Sequence, residues 1–190
     1  MKTLKKIFAA LMAITLTAAV GCKKDDAPAG FMAMHVTETR DNPSSPPSNM
    51  TAVYIEVTSV EVHYANEDEG NSGWVALHTK AGIYDLLALQ NDVTAVLADD
   101  TKLPIGEVTQ IRLILGSKNS IVITGDREFP LVVPSGEQSG IKINVNTSIP
   151  EGLHMTVTLA FDADKSIVLD GNGEYKLKPV IAVKSVVIYK

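Results

Sequence analysis

A chain of 190 residues, 45% of them hydrophobic and with a formal charge of −5, is long enough to close one sizeable core on its own. The acidic balance excludes the basic footprint that nucleic acid requires. A single Cys in the whole chain leaves no pair for an internal disulfide, so the core alone must hold the fold.

The first segment reads as an address. Lys2, Lys5 and Lys6 form a basic start, and the apolar run from Ile7 to Val20 is too short for a spanning helix. Ala19-Val20-Gly21-Cys22 resembles the lipobox of bacterial lipoproteins, in which a peptidase cuts before a Cys that becomes acylated. Ala19 stands where that motif usually has Leu. The resemblance implies a signal peptide over 1–21, lipid attachment at Cys22, a tether over 22–30 and one domain over 31–190. An acylated Cys22 offers no thiol for redox or nucleophilic chemistry. Lys23-Lys24-Asp25-Asp26 resembles the signal that sends lipoproteins of the Bacteroides group to the outer face of the outer membrane. Without that resemblance it reads as a solvated tether.

Downstream the pattern is one of strands. Met32, Met34 and Val36 share a phase. The Pro/Ser stretch from Asp41 to Asn49 is a loop. Val53, Ile55 and Val57 alternate with polar residues, then the apolar phase moves to Val60, Val62 and Tyr64. That slip of one residue predicts a β-bulge at Thr58-Ser59. An acidic loop, Asn66 to Gly73, precedes a short strand at Trp74 to Leu77. Ile83-Tyr84-Asp85 reads as a strand end. The helical spacing after it predicts a short helix over Val93 to Ala98, with Asp92 as N-cap.

The longest signal lies between Leu103 and Gly116. A Pro/Gly turn opens this stretch; Ile111, Leu113 and Leu115 then form one face, while Val108, Gln110, Arg112 and Ile114 form a mixed one. Further strands follow at Ile121 to Ile123, Phe129 to Val133, Ile141 to Val145, Met155 to Phe161 and Tyr175 to Val183, and Val186 to Tyr189 is apolar on both sides. The pattern predicts an all-β fold, an antiparallel β-sandwich of about 7–9 strands with one short helix.

Some residues could carry chemistry. Asp162, Asp164, Asp170 and Asn172 set clustered oxygens on loops, as Ca²⁺ requires. An EF-hand is excluded, because Ile167 takes the place of the turn glycine and Gly173 that of the closing Glu. Otherwise the same residues read as solvated turn and capping residues. Asp162 or Asp164 is also a candidate partner for Arg112, whose face is half-buried. Ser139 and Lys142 show the Ser-x-x-Lys spacing, but in a strand residues three apart point to opposite faces. His35, His63, His78 and His154 are scattered, which argues against zinc. Trp74, Tyr54, Tyr64, Tyr84, Tyr175 and Tyr189 are either sugar-stacking platforms or packing residues.

Several segments together resemble one bacterial lipoprotein family, the domain of unknown function numbered 4382. They are Trp74-Val75, Tyr84 to Leu89, Thr109 to Leu113, Leu131 to Gly136, Gln138 to Gly140 with Lys142, Phe161 to Ser166, and Leu177 to Val180. The resemblance spans roughly Met34 to Val183. It implies a prealbumin-like, carbohydrate-binding-like sandwich at the cell envelope, and it supplies no activity or catalytic residue. The expected function is that of a surface-anchored, non-catalytic lipoprotein module binding a glycan or another envelope component. It would be held to the outer membrane by its N-terminal lipid, with no cofactor beyond the Ca²⁺ candidate. The alternative is a structural or assembly component, adhesin- or pilus-like.

Overall fold

The computed structural model describes residues 28–39, 49–66, 71–134 and 139–190. The expected signal peptide, Cys22 with most of its tether, the loop from Asp41 to Ser48, Glu67 to Gly70, and Ser135 to Gln138 lie outside the described residues. The chain forms an all-β sandwich of two sheets. The smaller contains β1 (Ala29–Glu38), β4 (His78–Thr79), β6 (Thr94–Pro104), β11 (His154–Phe161) and β14 (Ile181–Tyr189), in the order β14-β11-β1-β6-β4.

The larger sheet contains β2 (Met50–Asn66), β3 (Asn71–Ala76), β5 (Gly82–Asp85), β7 (Glu107–Leu115), β8 (Ser120–Ile123), β9 (Arg127–Val132), β10 (Ile141–Ser148), β12 (Ile167–Leu169) and β13 (Tyr175–Leu177). Its path runs β10-β7-β2-β8-β9-β13-β12, and β3 and β5 also pair with β2. Two pairings are parallel, β1 with β11 and β13 with β9.

The bulge expected in β2 is present. Val57 lies opposite Leu115 and Ser59 opposite Ile114, so one extra residue sits on β2. Val53, Ile55 and Val57 before it and Val60, Val62 and Tyr64 after it are all buried. Without that residue the second half of the strand would turn its apolar side chains to solvent. At the end of β2 the Tyr64 hydroxyl donates to the Ile105 carbonyl at 2.8 Å. Gly106 makes room for this, because a Cβ there would fall on the Tyr64 ring and 2.8 Å from the Ala65 carbonyl.

Two expectations need correction, besides the single strand read over Tyr175 to Val183, which is split between β13 of the larger sheet and β14 of the smaller. Residues 93–98 are not a helix: β6 starts at Thr94 and pairs with β1 and β4. Asn91 and Asp92 both have positive φ, 57° and 64°, so Asp92 sits in a left-handed turn rather than in the extended conformation of an N-cap. The β-branched Thr94 and Val96 then pair with Thr37 and His35 of β1. The short helix is instead α1 (Ala163–Ser166), and a single 3₁₀ turn at Leu86–Leu89 is capped by Asp85, which accepts from the Leu87 amide at 3.1 Å. The second correction is Val108, which is fully buried. A register shift between His63 and Tyr64 sets it opposite Tyr64, which moves it from the mixed face to the apolar one.

Ile111 and Leu113 are buried as expected, while Leu115 is only partly covered. They share one core with Val157, Leu159 and Phe161 of the other sheet. Leu113→Ala should cost roughly 2–5 kcal/mol in a denaturant melt. Gln110→Ala, on the outer face, should cost about 1 kcal/mol or less. The reverse order would invert the inside–outside assignment of β7.

Candidate functional site

Polar residues that alternate with the core residues of four strands align into rows on the outer face of the large sheet. Trp74 is opposite His63, His63 opposite Gln110, and Gln110 opposite Asn144. The neighbouring row runs Ala76, Glu61, Arg112, Lys142. Glu61 pairs with both Ala76 and Arg112, so β3 and β7 must flank β2 on opposite sides. Three segments that carry the family resemblance, from β3, β7 and β10, therefore meet on one face.

Trp74, the one Trp of the chain, is the centre of this face. The Arg112 guanidinium lies over its ring, 4.1 Å from the centroid, and the Lys142 ammonium lies 5.9 Å away. His63 meets the indole edge-on at 5.3 Å, and its Nδ1 is 2.9 Å from the Thr109 hydroxyl. Arg112 Nε donates to Glu61 at 2.8 Å, and a terminal guanidinium nitrogen bonds the same carboxylate oxygen. The partner of Arg112 is thus Glu61, neither Asp162 nor Asp164, because the sheet register places Glu61 directly across from it. Both side chains of this pair are largely covered, so each needs the other. A cation over indole adds about 0.5–2 kcal/mol, depending on how dry the contact is. At the rim the Gln110 amide donates to Asn144 at 3.0 Å. Lys142 is exposed.

Of the four oxygen-bearing residues proposed for Ca²⁺, Asp162 and Asp170 are engaged within their own turns. Asp162 caps α1, accepting from the Lys165 amide at 2.9 Å and pairing with the Lys165 ammonium at 2.9 Å. Asp164 lies in the first turn of that helix. Asp170 closes its own turn, accepting from the amides of Asn172 and Glu174 at 2.9 and 3.0 Å and from Lys176 at 2.5 Å. The Lys176 contact, helped by those amides, lowers the Asp170 pKa to about 2. Asn172 is exposed. Among the described residues no three His, Cys, Asp or Glu gather as a metal-holding group.

Ser166 explains why two of the resembling segments belong together. Buried at the end of α1, its hydroxyl accepts from the Val180 amide at 2.8 Å, and its carbonyl accepts from Lys178 at 2.7 Å. Phe161 to Ser166 and Leu177 to Val180 are thus pinned to one another as structure.

Of the other candidates, Ser139 is an exposed turn residue, while Lys142 belongs to the Trp74 face. Tyr64 is in the core, Tyr175 packs on Phe129, and burial raises the pKa of Tyr84. Tyr54 lines an open cavity of about 370 Å³ with Ile83 and Lys118. His35 sits on β1 opposite Thr158 and Val96. His78 Nδ1 is 3.1 Å from the Asp100 carbonyl, and His154 Nδ1 is 2.7 Å from the Asp100 carboxylate. His154 also stacks between Phe31 and Tyr189, with centroids 4.7 and 5.5 Å away. Sequence spacing missed this ladder, because its three rings come from three strands and only register aligns them.

Two outcomes follow. Arg112→Ala should change the emission of the single Trp, and so should Gly140→Ala. A Cβ at Gly140, where φ is +97°, would lie 2.6 Å from Arg112 Cγ. Unchanged spectra would contradict the stack. The folded-state pKa of Asp170 is depressed, so its contribution is present above the unfolded value of about 3.9 and is lost as pH falls towards about 2. Asp170→Asn should therefore lower the melting temperature at pH 7, and the gap to wild type should close by about pH 2.

No curated protein and no solved structure matches the chain. A family model, described as a domain of unknown function (DUF4382), matches residues 35–179, and the chain belongs to that family.

Proposed function

We propose that this protein is a lipid-anchored, non-catalytic module on the surface of a bacterial outer membrane, and that it binds a glycan through the Trp74 face. The observation that carries this reading is the indole flanked by Arg112 and Lys142, with the amides of Gln110 and Asn144 in the adjoining strands. A sugar offers an apolar C–H face for stacking and a rim of hydroxyls that needs donors and acceptors nearby. Arg112 is balanced by Glu61, so the exposed Lys142 favours a glycan that carries acidic groups. Among the described residues no helix is long and apolar enough to cross a membrane. The anchoring half of the reading rests on the basic start, the apolar run and Cys22, with acyl chains as the membrane hold.

A glycan array probed with wild type and variants tests the binding half. Trp74→Ala should weaken retention about tenfold or more, equivalent to about 1.4 kcal/mol, and Lys142→Ala should weaken only acidic glycans. A blank array, or equal binding by Trp74→Ala, would count against it. For the anchor, Cys22→Ala should abolish incorporation of a labelled fatty acid and release the protein from the membrane fraction. Retention of label in that variant would refute acylation at Cys22.

A further inference from the structure

The end of the sandwich where β1 begins carries an apolar and aromatic patch. Ala29 lies there opposite Pro104 of β6, and its carbonyl accepts from the Gly152 amide at 2.9 Å. Beside it one row crosses four strands of the small sheet: Lys102, Phe31, His154 and Tyr189. Their strand neighbours Leu103, Met32 and Met155 are buried, so the row lies on the outer face of that sheet. The rings of Phe31, His154 and Tyr189 stand stacked side by side. Next to them Val187 is 53% exposed, and Ile188 and Tyr189 on the edge strand are 51% and 45% exposed. Contiguous apolar exposure of this kind marks a contact surface.

Charge divides the two sheets at this end. On the small sheet and the turn entering β6, the exposed carboxylates of Asp92, Asp99 and Asp100 contact Lys184, Lys80 and His154 at 2.5, 2.9 and 2.7 Å. Lys102 is exposed. Glu107, by contrast, begins β7 of the large sheet, and Glu67, Asp68 and Glu69 fall in sequence between β2 and β3 of that sheet. Glu151 lies in the turn that crosses from one sheet to the other.

We infer that the Phe31–His154–Tyr189 patch, with Val187 and Ile188, rests on the lipid surface, and that the Trp74 face is turned away from it. Acylation at Cys22, proposed above, is the premise. Cys22 and Pro28 are six residues apart. An extended chain gains at most about 3.6 Å per residue, so β1 starts within roughly 20 Å of the acylated residue. Of the two sides this end presents, the small sheet offers aliphatic side chains, rings with polar edges and a Lys, which suit a headgroup layer. The large sheet offers carboxylates, which an anionic headgroup layer repels. Trp74 and Tyr189 lie on the outer faces of opposite sheets, so contact through Tyr189 leaves the Trp74 face open to a glycan.

The chain has no Cys besides Cys22, so in the acylated protein a single introduced thiol takes a single label. Full-length protein purified from membranes is placed in vesicles of phosphatidylethanolamine and phosphatidylglycerol that contain a lipid with a nitroxide headgroup. An environment-sensitive fluorophore is attached to Val187→Cys, to Tyr189→Cys or, on the Trp74 side as control, to Asn144→Cys, and labelled fatty acid is followed in the same preparations. We expect the nitroxide to quench the fluorophore at 187 and 189 and to leave emission at 144 unchanged. Adding Ile188→Asp or Lys102→Glu to Val187→Cys should reverse the quenching while Trp74 emission stays native. With the fatty acid incorporated, no quenching at 187 and 189, or equal quenching at 144, overturns the orientation alone. A blue-shifted but unquenched fluorophore at 187 also overturns it, by placing a protein partner or a second copy on the patch. Absence of the fatty acid overturns acylation at Cys22 and the membrane contact with it.

Discussion

Most of the large sheet depends on one strand and on where its phase changes. β2 runs from Met50 to Asn66 and is in register with β3, β5, β7 and β8. The extra residue between Val57 and Ser59 keeps both halves of the strand apolar towards the core. It also decides that Glu61 and His63 face outward. Had the phase run on unbroken, Val60 and Val62 would lie outside, and Glu61 and His63 would be buried beside the aliphatic side chains of β11. A charge in that position costs several kcal/mol unless it is paired.

The Trp74 face follows from the same constraint. A sheet in a sandwich has one dry side and one wet side, so polar residues accumulate on the wet side of each strand. What makes this wet side unusual is that its charges are sorted. Arg112 and Glu61 neutralise each other across one strand pair, and the guanidinium is held flat on the indole. A planar cation fixed at two points is already pre-organised, unlike a free Arg. Lys142, one strand further out, keeps its charge for solvent or ligand. The rim is mostly amide and hydroxyl, from Gln110, Asn144 and Thr109.

Elsewhere short polar devices hold the irregular segments. Asp85 accepts from both the Val53 and the Leu87 amides, tying the 3₁₀ turn to β2. Asn119 bridges the break between β7 and β8, accepting from the Glu56 amide at 2.9 Å and donating to the Gly116 carbonyl at 2.8 Å. Asp162 and Ser166 do the same between α1 and the approach to β14. Each satisfies backbone groups that a strand ladder would otherwise have paired, and an unsatisfied buried amide costs about 1–3 kcal/mol. These aspartates are easily mistaken for metal ligands in sequence, since an N-cap, an Asx turn and a Ca²⁺ loop all draw on Asp followed by polar residues.

Alternation along the chain was enough to determine the all-β class, the core residues Met32, Val53, Ile111, Leu113 and Val157, and the bulge in β2. These are local properties, because side chains in a strand change face every residue whatever the strand pairs with. The two-sided apolar character of Val186 to Tyr189 was legible for the same reason. Tertiary structure alone decided the rest. Val93 to Ala98 carries both a helical spacing and β-branched residues, and the open edge of β1 settled the contest in favour of a strand. Arg112 had several carboxylates to choose from, and sheet register selected Glu61, 51 residues away. The convergence of Trp74, Arg112 and Lys142, like the Phe31–His154–Tyr189 ladder, is written in no spacing. Residues that far apart meet only through backbone ladders, and the order of those ladders is set by how the two sheets close over one core.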